Sequence, residues 1–385
     1  MKLSVIILNY NVQHFLEICI ESVLSATSTL DSEIIVVDNH SSDGSCNMVK
    51  KCFPQIKLIE NTQNFGFPKG NNIGVAAATG EFICILNPDT IIAEDTFAQI
   101  LEPKNWQKNT GIIGCKLVDG TGNFLPESKR GLPTPSVALT KVLGLYKISR
   151  FFGKYYAMHL KENQSGKVDI LVGAFMVMKR DLYQKVGGFD ENCFMYSDDI
   201  DLSYMVTKLG YQNQYFHETM VVHFKGESTL KDGTYMKRFQ EAMNFFYQKH
   251  FKVSLIFSGF MKVGIVVFSF LKKFQGNTKT IKKPAKFSLL SDNLAFRDTL
   301  AAMLQRDVVL FTEMGLMHTI VDTELIFDSN FIDFKTIIAA MDSKKNQGYT
   351  FKITSKNRKF MLGSNSASDR GQVIFIENEM TENGL

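Results

Sequence analysis

At 385 residues the chain is longer than one ordinary core, and the usual domain size of roughly 100–200 residues leads us to expect two globular units. A hydrophobic content of 45% with 21% charged residues excludes a disordered chain, and a net charge of +4 is too small to argue for a nucleic-acid partner. The six cysteines form no CxxC pair and read as reduced core thiols. The apolar run Leu3 to Leu8 is too short for a secretory leader, so a cytoplasmic location is expected.

Along the first hundred residues, short β-branched runs alternate with longer amphipathic segments, the rhythm of βαβ units and a parallel sheet. Strands are predicted at Leu3–Leu8, Glu33–Val37, Ile56–Glu60 and Glu81–Leu86, with helices at Val12–Ser25, Ser45–Cys52 and Pro68–Ala78. Residues 118–168 lose periodicity and gather glycine and proline, which predicts a long loop with short helices. Order returns at Val172–Met178, followed by a short helix, the Gly187-Gly188 turn and a helix from Asp199 to Lys208. Residues 253–271 are strongly apolar and precede a cluster containing Lys272, Lys273, Lys279, Lys282, Lys283 and Lys286. That pairing predicts either an in-plane helix at an anionic membrane surface or a buried terminal helix with a basic linker. From Phe287 a small α/β pattern is expected, with strands near Asp307–Phe311, Glu324–Phe327, Tyr349–Ile353 and Gln372–Ile376 and a helix at Phe334–Met341. The expected division is therefore 1–251, 252–286 and 287–385.

In parallel sheets, ligands bind beyond the carboxyl ends of the strands, and those positions are unusually polar here. Asn9-Tyr10-Asn11 follows the first strand, Asp38 ends the second, and Asn87-Pro88-Asp89 follows the fourth. Asp89 at a strand end is a natural ligand for a hard cation between two phosphates, although an Asn-Pro-Asp turn taken alone is most often only a turn. His223, after another strand-like run, becomes a further ligand if Asp89 holds a metal, and is otherwise structural. Asp38 suits a hydrogen bond to a ribose or base edge, or else a helix cap. Asp198, Asp199 and Asp201 crowd the start of one helix. Capping explains one or two of them, and a carboxylate among carboxylates suits a general base. The glycines from Asn64 to Gly74 match neither the dinucleotide fingerprint nor the P-loop, which argues against a dehydrogenase or an ATPase.

Taken together, the ordered series resembles glycosyltransferase family 2, the inverting GT-A enzymes, and in particular its rhamnosyltransferase-like bacterial branch. The series runs through Val5–Asn11, Val36–Asn39, Asn64–Phe67, Leu86–Asp89, Gly173–Phe175, Gly188–Asp190, Asp198–Leu202 and His223–Ser228. The resemblance covers about Leu3 to Phe251. It implies a GT-A fold (a mostly parallel sheet flanked by helices) and a nucleotide-diphosphate sugar donor with Mn2+ or Mg2+ as cofactor.

By that resemblance Tyr10 lies against the base and Asp38 bonds the base or ribose, with Asn9, Asn11, Asn64, Gly66 and Asn87 in the same nucleotide pocket. Asp89 and His223 are the metal ligands, and Asp199, flanked by Asp198, is the catalytic base. Gly173, Ala174 and Phe175 are assigned to the acceptor side. Apart from the resemblance, the membrane-surface reading of 253–286 leads us to expect a lipid-linked saccharide acceptor, whose phosphates Lys129 and Arg130 of the long loop would face. Three positions depart from the family pattern: Asn87 replaces the first acid of the metal motif, Asp198 a glutamate, and Met205 an arginine. Trp106 lacks the Gln-x-x-Arg-Trp context of processive synthases, so one sugar per visit is expected. A sugar nucleotidyltransferase would need an arginine-bearing glycine loop where Asn9-Tyr10-Asn11 stands, which leaves a non-catalytic nucleotide-sugar scaffold as the alternative.

Overall fold

A computed structural model describes residues 1–134, 136–137, 150–224, 233–251, 284–313, 322–365 and 371–376. The apolar run 253–271, its following lysines from Lys272 to Lys283, and Lys225–Ser228 lie outside the described residues.

The expected mostly parallel sheet flanked by helices is present. Its first half is β1 (Leu3–Asn9), β2 (Ser32–Asp38), β3 (Lys57–Glu60) and β4 (Phe82–Leu86), connected through α1 (Gln13–Thr27), α2 (Ser45–Cys52) and α3 (Gly66–Ala76). Then come β5 (Thr90–Ile92), α4 (Thr96–Ile100), β6 (Thr110–Val118), β7 (Gly166–Val168) and β8 (Phe175–Lys179). The helices α5 (Arg180–Val186) and α6 (Asp198–Lys208), strand β9 (Gln212–His223) and helix α7 (Gly233–His250) complete this part. The strand order is β3-β2-β1-β4-β8-β6-β9-β5, with β7 on β9. Strands β1 to β4 run parallel, whereas β8 is antiparallel to both β4 and β6.

The glycine-rich stretch after Asn64 has a packing cause. A Cβ on Gly70 or Gly74 would meet Leu8 Cδ1 at 2.4 Å or Ile6 Cγ2 at 2.5 Å, so two glycines four apart let α3 lie directly on β1. All six cysteines are free, as expected, but only Cys19, Cys84, Cys115 and Cys193 are buried; Cys52 is exposed.

The C-terminal part forms a second sheet of order β11-β10-β12-β13-β14-β15. Its elements are β10 (Lys286–Leu290), α8 (Leu294–Leu304), β11 (Val308–Phe311), β12 (Thr323–Phe327), α9 (Phe334–Lys344), β13 (Tyr349–Thr354), β14 (Phe360–Gly363) and β15 (Gln372–Phe375). The two sheets are not independent: one apolar cluster joins Val12, Phe15, Ile18, Ile91 and Phe224 to Phe327, Phe334, Ile338, Phe351 and Phe360. This covering explains why α1 is buried on nearly all sides.

Carboxylates of α1 and of the turn after β5 meet donors from the loops and helix of the second sheet. Glu94 accepts from the Phe334 and Lys335 N–H groups at 2.7 and 2.8 Å, where the dipole of α9 favours an anion. Glu21 accepts from the Lys356 N–H at 3.1 Å, and Glu17 from Asn357 Nδ2 at 2.8 Å. Gly122, at φ +80°, touches the other side of this seam. A Cβ there would stand 2.2 Å from the Met341 carbonyl oxygen. We expect Gly122→Val to lower the thermal midpoint by several degrees through a backbone that cannot yield; an unchanged melting curve would show the seam to be loose.

Burial pushes the Glu21 carboxyl up to about 7, and its backbone hydrogen bond only partly opposes that. A folded-state value above the unfolded one means the native protein holds the proton longer, so this contribution to stability is complete below about pH 4.5 and is lost by about pH 7. The loss is on the order of 3 kcal/mol. Glu21→Gln should therefore gain stability relative to wild type as pH rises across that window. Parallel denaturant midpoints for the two proteins would contradict the burial argument.

Candidate active site

The parallel register brings the predicted polar positions to one edge. Asn9 pairs with Asp38 across β1 and β2, and β4 ends at Leu86 beside Phe175 of β8. Asn9 Nδ2 donates to Asp38 Oδ2 at 2.8 Å and to Ser41 Oγ at 3.1 Å, while the Ser41 N–H donates to Asp38 Oδ1 at 2.7 Å. Asn11 adopts φ +54° and its side-chain oxygen accepts from the Ser42 N–H, holding the two loops together. Between these anchors Tyr10 is left 36% exposed, free to meet a ligand. Asn64 accepts from the Gly66 N–H at 2.9 Å and from Asn39 Nδ2 at 3.3 Å, so it shapes its loop.

At the next strand end, β5 pairs Thr90 with His223 of β9. His223 Nε2 is 3.3 Å from both Asp89 Oδ1 and Asn87 Nδ2. Among the described residues, Asn87 Oδ1 and His223 Nδ1 are buried without a hydrogen-bond partner, which is costly unless something else satisfies them. Among the described residues no three His, Cys, Asp or Glu side chains converge as a metal cluster. Here the third side chain is the carboxamide of Asn87.

Helix α6 presents the acids. Asp199 Oδ2 accepts from Arg130 Nη2 at 2.5 Å and from the Gly173 N–H at 3.1 Å, whereas Oδ1 is buried with no partner among the described residues. Burial pushes the Asp198 carboxyl up to about 7, and the neighbouring Asp199 raises it further against the pull of Arg130. Burial alone would lower the Arg130 proton affinity, but Asp199 outweighs it and the net shift is upward. Asp201 is turned away, with Oδ2 on Lys249 and Oδ1 on His250, and so fastens α6 to α7.

Several acceptor-side expectations are corrected. Lys129 is buried and its Nζ donates to the Tyr156 and Ala157 carbonyls at 3.2 Å, because the loop folds back over it. Arg130 pairs inward with Asp199; neither side chain faces a phosphate. Ala174 and Phe175 belong to the apolar core, Phe175 stacked on Phe97, so of that trio only Gly173 borders Asp199. Sequence reasoning also missed the Arg130–Asp199 pair as such. The bridge of Arg130 to Ile170, which returns the loop to the sheet, has no periodic signal.

Residues 4–187 match the family model "Glycosyl transferase family 2". The chain is 24% identical over 241 residues to an N-acetylglucosaminyl-diphospho-decaprenol L-rhamnosyltransferase of Mycobacterium tuberculosis, covering 60% of this chain and 78% of that protein. It is 32% identical over 168 residues to a GalNAc(5)-diNAcBac-PP-undecaprenol beta-1,3-glucosyltransferase of Campylobacter jejuni, covering 42% and 54%. Against the rhamnosyltransferase WbbL of Escherichia coli it is 29% identical over 172 residues, covering 42% and 61%. Among solved structures, a mannosyltransferase from Pyrobaculum calidifontis in complex with GDP-Man and Mn2+ is similar at TM-score 0.44 and 18% identity, covering 71% of this chain and 84% of that one. Residues 4–187, with their mostly parallel sheet and its polar carboxyl edge, thus carry a glycosyl transferase family 2 domain.

Proposed function

We propose that the protein is an inverting hexosyltransferase that moves one sugar, rhamnose or another hexose, from a UDP- or dTDP-sugar to a hydroxyl of a lipid-linked saccharide. The observation that carries this reading is the convergence on one sheet edge of the Asn9–Asp38 pair, the Asn87/Asp89/His223 group and Asp199 with a buried free oxygen. Similarity to transferases named for polyprenyl-diphosphate saccharides supports the acceptor class.

In this reading Tyr10 and Asp38 hold the nucleoside, and Asn64 and Gly66 shape the adjoining wall. A divalent cation, Mn2+ or Mg2+, fits the Asp89 carboxylate, the His223 imidazole and the orphaned Asn87 oxygen. One carboxylate, one imidazole and one amide oxygen suit manganese well. When bound, it neutralises charge on the diphosphate leaving group. The acceptor hydroxyl attacks the anomeric carbon in line. Its proton passes to Asp199 Oδ1, the new C–O bond forms, and the old C–O bond breaks with its electron pair leaving on the diphosphate. Arg130 and the Gly173 N–H keep Oδ2 fixed so that Oδ1 alone is offered, and Asp198 adds a second, weakly acidic carboxyl beside it.

Among the described residues no helix is long and apolar enough to cross a membrane. We further propose that residues 1–251 catalyse, 287–385 buttress them, and the basic residues near Lys272 to Lys286 touch the cytoplasmic membrane face from outside.

Calorimetric titration of UDP and dTDP, with and without Mn2+, tests the donor half. Binding of one nucleotide that strengthens with Mn2+ is expected. A folded protein that binds neither would overturn the transferase reading in favour of a non-catalytic scaffold.

A further inference from the structure

Phe194 lies four residues before Asp198, and its ring is 43% exposed. A large apolar ring held in solvent beside buried acids marks a surface with a binding task. The ring is not there by slackness. The Phe67 N–H donates to the Phe194 carbonyl at 3.0 Å, and Gly66, at φ +80°, leaves room for the ring, since a Cβ on Gly66 would meet it at 2.7 Å. Tyr196, two residues on, sits at φ +82°, a conformation that a bulky residue keeps only where its surroundings enforce it. Contact then runs inward: a Cβ on Gly173 would lie 3.3 Å from the Phe67 ring and 3.4 Å from Asp199 Cβ. Phe194 is thus joined through Phe67 and Gly173 to the carboxylate assigned as the base. On its other side the exposed Arg238 guanidinium, from α7, stands 5.2 Å from the Phe194 ring centroid.

We propose that Phe194 and Arg238 form the acceptor subsite: the ring is a platform for the apolar face of the acceptor sugar, and the guanidinium receives its diphosphate. This assignment rests on the lipid-linked acceptor reading. An aromatic ring offers contact area at little conformational cost, and a pyranose presents a face of C–H groups that fits it. Arginine's planar fork matches phosphate oxygens two at a time, and stacking over Phe194 pre-organises it. The arrangement replaces Lys129 and Arg130, which the fold turns inward.

The probes are citronellyl-diphosphate-linked N-acetylglucosamine and methyl β-N-acetylglucosaminide, titrated into the full-length protein with UDP and Mn2+ present. We expect Phe194→Ala to weaken both about 10-fold or more and Phe194→Tyr to restore them, with UDP affinity unchanged throughout. Arg238→Ala should weaken only the diphosphate probe, by about 10-fold, and Arg238→Lys should restore part of it. Wild-type-like binding of the probes by both alanine variants overturns the assignment. So does a fall in UDP affinity with Phe194→Ala, which would put the ring in the donor pocket. If wild type binds UDP but neither probe, the acceptor reading fails first and the subsite falls with it.

Discussion

Asp199→Asn should lower kcat by about 10²–10⁴ while leaving nucleotide affinity unchanged, because only the proton acceptor is removed. The amide can still accept from Arg130 and the Gly173 N–H at the Oδ2 position, so the loop geometry is preserved. Stability responds separately. Arg130, buried and paired, would lose its counter-charge, and leaving one member of such a pair costs about 3–5 kcal/mol. Part of this is recovered, because Asp198 no longer faces a second anion and its raised proton affinity falls, letting it ionise beside Arg130. The expected result is a slow, less stable enzyme with intact UDP or dTDP binding, measured by steady-state kinetics, calorimetry and denaturant titration on the same preparation. Near-normal turnover in that variant would remove Asp199 from the chemistry.

Asp89→Ala should abolish the Mn2+-dependent part of nucleotide affinity and cost several kcal/mol of transition-state stabilisation, about three decades or more in kcat. His223 then loses its carboxylate neighbour 3.3 Å away and is left with Asn87. His223→Asn should act in the same direction but more weakly, since it removes the softer donor and keeps the carboxylate. The readout that decides is binding, not turnover. Equal Mn2+ enhancement of UDP binding in wild type and Asp89→Ala would place the cation elsewhere.

The central strands were legible in the sequence because they are apolar on both faces. β1 and β4 are buried throughout and β2 from Ile34 onward, so their β-branched runs are continuous and their boundaries fall within a residue or two of expectation. β6 escaped, and β9 was read only in its last residues before His223, because their buried positions carry polar groups with distant partners. Lys116 reaches Asp342 and Asn163, and Asn213 bonds the Asp169 and Ser203 carbonyls. β10 and β14 were missed because they are short, the first merging into a lysine-rich run.

At the site, side chains that end strands were readable from position alone, as Asn9, Asp38 and Asp89 were. What was not readable is how cationic groups are used. Arg130 sits 69 positions from Asp199 in a segment without period, and nothing local separates an arginine that neutralises a base from one that greets a substrate. The exposed ring of Phe194 has no signal in the sequence, since exposure is a property of the folded loop.

The cluster shared by the two sheets bears on how the chain is made. A nascent chain emerges from its amino end, and α1 would leave the ribosome long before Phe351 and Phe360, which cover it. At about 5–20 residues per second, the outer face of α1 waits on the order of ten seconds or more for its cover. During that interval an apolar surface next to the Asn9–Asn11 turn is open to chaperones or to neighbouring chains. A stall before the last strands would therefore yield a first sheet that is complete in hydrogen bonding but adhesive.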